Sequence, residues 1–196
     1  MREQVQAELE FIVPIDDIER AHLDDALAWV KSGAQLCRLE KPATPPKHLV
    51  SYFVAVDDQC VLLVDHKNAQ LWLPAGGHVE PGEHPRTAVE RELLEELGFP
   101  VPHPVAPPVM VTCAKTVGLT AGHVDVSLWY VVRASPQQPI NFDRNEFNAV
   151  RRFPFPEVPL ERADPHMGRF LAKMSPNPLP SKLTCAAGGS HLSSQL

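Results

Sequence analysis

The stretch Gly77-His78-Val79-Glu80-Pro81-Gly82-Glu83-His84-Pro85-Arg86-Thr87-Ala88-Val89-Glu90-Arg91-Glu92-Leu93-Leu94-Glu95-Glu96-Leu97-Gly98-Phe99 decides the reading of this chain. Its first half is a loop rich in Gly and Pro, and its second half reads as a short helix. Pro85 stands where a helix accepts proline, in the first turn, because the missing N–H is one that a helix start leaves unpaired anyway. Gly98 stands where a left-handed C-terminal residue is wanted. Val89, Leu93 and Leu97 recur every four residues and form an apolar stripe. Glu92, Glu95 and Glu96 fall at i, i+3 and i+4 and share one face beside that stripe. Like charges at this spacing destabilise a bare helix. Carboxylates converging beside a Gly-rich loop suit a hard cation that takes oxygen ligands, Mg²⁺ or Mn²⁺. The competing reading is a solvated acidic face, the ordinary fate of a charge run.

The loop decides between them. The whole stretch resembles the Nudix box, the signature of the Nudix hydrolase family: Gly, five residues, Glu, seven residues, Arg-Glu, an aliphatic, any residue, Glu-Glu, any residue, Gly and an aliphatic. Gly77, Glu83, Arg91, Glu92, Leu93, Glu95, Glu96 and Gly98 match, and Phe99 is an aromatic where an aliphatic is commoner. At background residue frequencies such a match arises by chance in roughly fewer than one chain in a million. The lead-in Trp72-Leu73-Pro74-Ala75-Gly76-Gly77 is also similar to what precedes the box in that family.

Length and composition set outer bounds. A chain of 196 residues with 18 Lys plus Arg and 24 Asp plus Glu has net charge -6. This argues against a nucleic-acid polymer or a membrane surface as partner, since either asks for a basic face. No apolar run reaches membrane-spanning length. The N-terminus carries Glu3, Glu8 and Glu10 in place of an apolar leader. Cys37, Cys60, Cys113 and Cys185 have no metal or redox spacing and read as buried free thiols. A cytoplasmic location is the expectation.

In chain order, Leu9 to Val13 reads as a short strand or an arm ended by Pro14. Asp16 or Asp17 caps a helix to about Ser32, with Leu23, Ala26, Leu27 and Val30 as its stripe and Gly33 as its stop. Residues 41–47 form a Pro-rich link. Residues 1–46 are therefore read as a helical arm that covers the site rim or makes a homodimer contact. Strands are expected at Leu49–Val56, Cys60–Val64, Leu71–Leu73, Val109–Val117, His123–Val132 and Ala149–Phe153. The 74–84 segment is read as loop, and 100–108 as a linker with five prolines. Along His123–Val132 the alternation puts His123, Asp125, Ser127 and Trp129 on one face, too mixed for a plain solvent side and suited to a cleft. Asp164-Pro165 opens a last helix with Met167, Phe170, Leu171 and Met174 buried. Residues 175–196 are read as a disordered tail.

This order gives an α/β protein with a mixed sheet covered by helices on both faces. It agrees with the Nudix-type α/β/α sandwich that the resemblance implies for residues 47–174, with the N-terminal helical arm added. The resemblance further implies hydrolysis of a nucleoside diphosphate linked to another group, a nucleoside triphosphate or modified nucleotide first among them. ADP-ribose, sugar-nucleotide or dinucleotide pyrophosphatase and a non-catalytic nucleotide sensor are the alternatives, and the complete box disfavours the sensor. Mg²⁺ is the implied cofactor, with Mn²⁺ second. Carried over by position, Glu92 and Glu96 ligate the metal, Glu95 is a third ligand or the base, and the carbonyl of Gly76 completes the shell. Gly77, Glu83, Arg91 and Gly98 are structural, with Arg91 pairing Glu83. A further Glu past the box is assigned by position to Glu146, with Asp143 second. His123, Asp125 and Phe53 are candidates for contact with the nucleobase of a small nucleotide substrate.

Overall fold

The computed structural model describes residues 1–175 apart from 42–43, 58, 102–103, 119–121 and 136. The disordered-tail expectation for 176–196 lies outside the described residues, as do parts of the Pro-rich link and of the 118–122 turn.

The chain runs α1 (Arg2–Glu10), α2 (Asp17–Lys31), β1 (Lys47–Asp57), β2 (Cys60–His66), β3 (Leu71–Leu73), β4 (Ala75–His78), α3 (Pro85–Leu97), β5 (Met110–Lys115), β6 (Val124–Arg133), β7 (Phe147–Pro154) and α4 (Met167–Met174). Seven strands form one sheet with the path β3-β2-β1-β6-β5, and β7 adds to β2. It is mixed: β1 runs parallel to β6 over Lys47–Val56, and the other pairs are antiparallel.

The sheet forks at its centre. The β1–β2 hairpin is paired only near its turn, from Ala55↔Leu62 to Asp57↔Cys60. Segment 71–78 enters the opening. Its first half pairs with β2 through Val64↔Leu73 and its second half with β1 through Phe53↔Ala75 and Val50↔His78. Pro74, which has no N–H to donate, marks the changeover. So the residues before α3, read as loop in the sequence, include a strand of four residues. This strand holds Gly76 and Gly77 against β1.

Period-two alternation divides the sheet into two packed faces. On one face Leu49, Phe53 and Ala55 of β1 and Val126, Leu128, Tyr130 and Val132 of β6 meet Val89, Leu93 and Leu97 of α3 together with Val5, Leu9, Leu23 and Val30. On the other, Val54, Val56, Leu63 and Trp129 meet Met167, Phe170 and Leu171 of α4. This is the expected α/β/α sandwich.

Three local expectations change. Residues 2–10 form the helix α1, whose Val5 and Leu9, one turn apart, are fully buried in the main core. The N-terminal segment is consequently part of that core: Glu8, 4% exposed, accepts from the hydroxyl of Tyr130 at 2.9 Å and pairs with Arg86 at the start of α3. The last helix begins at Met167 rather than at Asp164. Asp164 instead caps a turn, its Oδ1 accepting from His166 N at 2.8 Å. The α2 boundaries follow the sequence closely. Asp16 Oδ1 accepts from Glu19 N at 2.7 Å as N-cap, and Gly33 takes φ +83°.

Candidate active site

The site is assembled where β4 turns into α3. Two glycines permit it. Gly76 has φ +138°, and a Cβ there would lie 2.1 Å from the carbonyl oxygen of Ser51 on β1. A Cβ on Gly77 would lie 2.1 Å from Oε1 of Glu92. Strand and helix thus approach closely because no side chain stands between them. At the far end Gly98 closes α3 at φ +75°, and its N–H donates to Leu94 O at 3.1 Å.

Arg91 ties the loop to the helix. Its Nε and Nη2 donate at 3.0 Å to the two oxygens of Glu83, a bidentate pair. Nη2 also donates to His78 O at 3.1 Å, and Nη1 to Glu92 Oε1 at 2.6 Å. Glu83 in turn accepts from Glu80 N at 3.0 Å. The pairing of Arg91 with Glu83 is therefore present, and it fixes the loop from both ends.

The carboxylates differ sharply in environment. Glu96 is 6% exposed, and its Oε2 accepts from Gly76 N at 2.7 Å. Burial, and then the neighbouring Glu92 charge, pushes its carboxyl up to about 9, against the hydrogen bond from Gly76. Burial also raises Glu92, against the pull of Arg91, with Glu95 and Glu146 adding to the rise. The Glu95 side chain is 60% exposed and has Arg91 Nη1 at 3.4 Å. Glu146 is exposed, yet its charge acts on both Glu92 and Glu96. Asp143 is turned to its own loop: its Oδ1 accepts from Asn145 N at 2.7 Å, and its N–H donates to the Glu96 carbonyl at 3.0 Å. Of the two candidates beyond the box, Glu146 is the one in the field of the cluster.

This donor set fits a hard divalent cation. Carboxylates in one another's field, partly buried, raise each other's proton affinity unless a cation neutralises them. Glu92 and Glu96 would hold it, with Glu95 and Glu146 at the outer side.

Phe53 is 1% exposed in the main core, so its ring has no open face for a base. Trp129 is fully buried under α4, its Nε1 donating to Thr112 Oγ1 at 3.0 Å. Ser127 and Trp129 are buried, and of the mixed face of β6 only Asp125, at its start, is part-exposed. There His123 and Asp125 meet two residues that the sequence does not single out, His48 and His78. Their signal is hidden because His48 faces Asp125 only through the parallel β1–β6 register. His78 lies on the far side of β1, paired with Val50, and inside the box itself. Burial, and then the Arg38 charge, holds the His78 imidazole down to about 3.

A mixed sheet between helices, with a Gly-bearing strand that feeds a carboxylate-rich helix, is an architecture of the Nudix type. The family model described as NUDIX domain matches residues 46–174, and the chain belongs to that family. A Bacillus subtilis protein described as a putative 8-oxo-dGTP diphosphatase is 46% identical over 43 residues, which is 22% of this chain and 29% of that protein. The chain thus aligns with less than a third of that relative's length. Solved structures share the fold. The E. coli ORF135 protein is 25% identical with TM-score 0.52, covering 67% of this chain and 94% of that one. A MutT NUDIX hydrolase from Burkholderia pseudomallei is 24% identical with TM-score 0.50, covering 58% and 87%. The E. coli dihydroneopterin triphosphate pyrophosphohydrolase is 16% identical with TM-score 0.52, covering 71% and 99%.

Proposed function

We propose that this Nudix hydrolase cleaves, with Mg²⁺, a pyrophosphate bond in a nucleoside triphosphate or modified nucleotide. The observation that carries the reading is the convergence of Glu92 and Glu96 on the Gly76–Gly77 backbone, with Arg91 locking the loop to the helix. The description of the B. subtilis relative as a putative 8-oxo-dGTP diphosphatase favours a triphosphate over a sugar nucleotide.

Mg²⁺ bound here supplies a polarised phosphoryl group and a bound water of lowered pKa. Glu92 and Glu96 would hold it with the carbonyl of Gly76, and Glu95 would serve as a third ligand or as the base. The Gly76 N–H orients Glu96 so that one oxygen is left for the ion. Glu95 or Glu146, both exposed, would take the proton of the attacking water. A net charge of -6 leaves the metal as the means of attracting an anionic substrate. The free thiols of Cys37, Cys60 and Cys113 fit a reducing compartment, the cytoplasm. Among the described residues no helix is long and apolar enough to cross a membrane.

The test is product analysis with Mg²⁺ across ordinary and oxidised nucleoside triphosphates, ADP-ribose, sugar nucleotides and dinucleotides. Nucleoside monophosphate and pyrophosphate released from a triphosphate support the reading. Cleavage confined to ADP-ribose, a sugar nucleotide or a dinucleotide contradicts it.

A further inference from the structure

His48 at the start of β1, His78 at the end of β4, and His123 with Asp125 at the start of β6 bring four ligand atoms within 4.8 Å of one another. β1 lies between its two partners: His48 faces Asp125 across the β1–β6 pair, and His78 pairs with Val50, the next same-face position of β1 after His48. Asp125 Oδ1 is the centre. It lies 3.3 Å from His48 Nε2, 3.3 Å from His123 Nε2 and 3.9 Å from His78 Nε2. The rings stand close, with the His48 centroid 4.8 Å from that of His78 and 4.9 Å from that of His123.

The decisive feature is His48. Its side chain is fully buried, and Nδ1 lies 2.8 Å from the carbonyl of Pro45. A carbonyl only accepts, so Nδ1 carries the proton and Nε2 presents a lone pair. That Nε2 and Asp125 Oδ1 are both buried, and neither has a hydrogen-bond partner. Two acceptors facing each other at 3.3 Å repel unless a proton or a metal ion lies between them. The Nδ1–carbonyl contact is also the arrangement that orients metal-binding imidazoles. His123 has an analogous outer contact, Nδ1 to Thr116 Oγ1 at 3.2 Å.

We propose that His48, His78, His123 and Asp125 form a site for a first-row transition-metal ion, Zn²⁺ above all, separate from the carboxylate site of the box. Imidazoles with one carboxylate select such ions over Mg²⁺. A tetrahedral ion with ligands at about 2.0–2.1 Å has ligand–ligand edges of roughly 3.3 Å. The two 3.3 Å separations already meet that spacing. His78, at the rim with its side chain 28% exposed, closes in from 3.9 Å. Arg38 Nη1, now 3.2 Å from His78 Nε2, gives up that contact when the ion enters. Four protein ligands leave no open position, so the site is structural. It joins β1, β4 and β6 and fixes the end of the strand that carries Gly76 and Gly77.

The test is Zn²⁺ and Co²⁺ binding to the full chain after chelator treatment, in the wild type and in a Glu92→Gln/Glu96→Gln variant that removes the box carboxylates. The expected result is about one Zn²⁺ ion per chain in both. The Co²⁺ form should show intense visible bands of tetrahedral coordination. Affinity should fall by at least about 100-fold in Asp125→Asn and in the rim variant His78→Ala, with folding checked by circular dichroism. The rim variant serves if the buried one does not fold. No uptake by folded wild type, or uptake lost with the box carboxylates and kept in folded His78→Ala, overturns the proposal. These readouts do not depend on hydrolysis, so failure of the hydrolase reading leaves them intact.

Discussion

Glu96 reaches back twenty residues to accept a 2.7 Å hydrogen bond from Gly76 N–H. That one contact joins the helix carrying the carboxylates to the strand carrying the backbone turn. Its consequence is that neighbouring glycines have different jobs. At Gly76 an added Cβ would meet the Ser51 carbonyl and the Tyr52 Cα, both backbone, at a φ that L-residues rarely adopt. At Gly77 its three nearest atoms would all belong to the Glu92 side chain. Gly76→Ala should therefore cost more than about 3 kcal/mol of stability. Gly77→Ala should melt within a few degrees of wild type and lose roughly 100-fold in turnover, because Glu92 is displaced. Thermal melts beside kinetics check this, and equal melting of the two variants would contradict it.

Arg91 makes a fork that lysine cannot copy. A lysine ammonium at this position can reach one Glu83 oxygen but cannot serve Glu83, His78 O and Glu92 together. Arg91→Lys is expected to lose about 1–3 kcal/mol of stability and a larger share of activity than its charge conservation implies. Denaturant melts and kcat at saturating Mg²⁺ measure the two losses. Wild-type values in both would show that the fork is dispensable.

The N-terminal helix is bound through Glu8, whose partners are Tyr130 Oη, Arg86 and, at 3.8 Å, His84. Glu8→Ala leaves the Tyr130 hydroxyl and the Arg86 charge without their partner. A loss of about 2–3 kcal/mol follows. Deleting residues 1–12 should destabilise the whole domain, since Val5 and Leu9 are part of its main core. A deletion variant that melts like wild type would show the segment to be a separable arm.

Asp164 supplies a pH signature. Burial pushes its carboxyl from 3.8 up to about 6. A raised acid is ionised more readily in the unfolded chain, so this group's contribution to stability declines as pH rises from about 4 to about 6. His166, lowered to about 4 chiefly by burial, acts in the opposite sense, and its contribution is lost as pH falls below 6.5. Asp164→Asn keeps an acceptor for His166 N and removes the first effect alone. The variant's advantage over wild type should grow between pH 4 and pH 7, by up to ~3 kcal/mol. A difference independent of pH would contradict the account.

Much of the fold is legible in the sequence where signals are local. Asp16, Gly33, Pro85 and Gly98 set helix ends by their own backbone chemistry, and the structure places them so. The Glu83–Arg91 pair is what the resemblance to the Nudix box implies. Helix α1 is masked by the strand-like run Phe11, Ile12 and Val13 that follows it, although its own residues are mostly good helix formers and Val5 and Leu9 are buried in the main core. Strand β4 escapes notice because a Gly-rich run has no alternation to read, and its pairing partner is supplied by β1. The His48–Asp125 contact joins residues far apart in the chain and depends on the register of a parallel pair. Nothing in either flanking segment announces it.

The central claim is that the carboxylates of α3 hold the metal that makes this chain a hydrolase. It is tested by measuring hydrolysis of the preferred nucleoside triphosphate with and without Mg²⁺ in wild type and in Glu96→Gln. The account predicts activity abolished by chelator and restored by Mg²⁺ in the wild type. In the folded variant it predicts a fall of roughly two to three orders of magnitude, the loss of several kcal/mol of transition-state stabilisation. Wild-type turnover indifferent to chelation, or a Glu96→Gln variant as active as wild type, would contradict it.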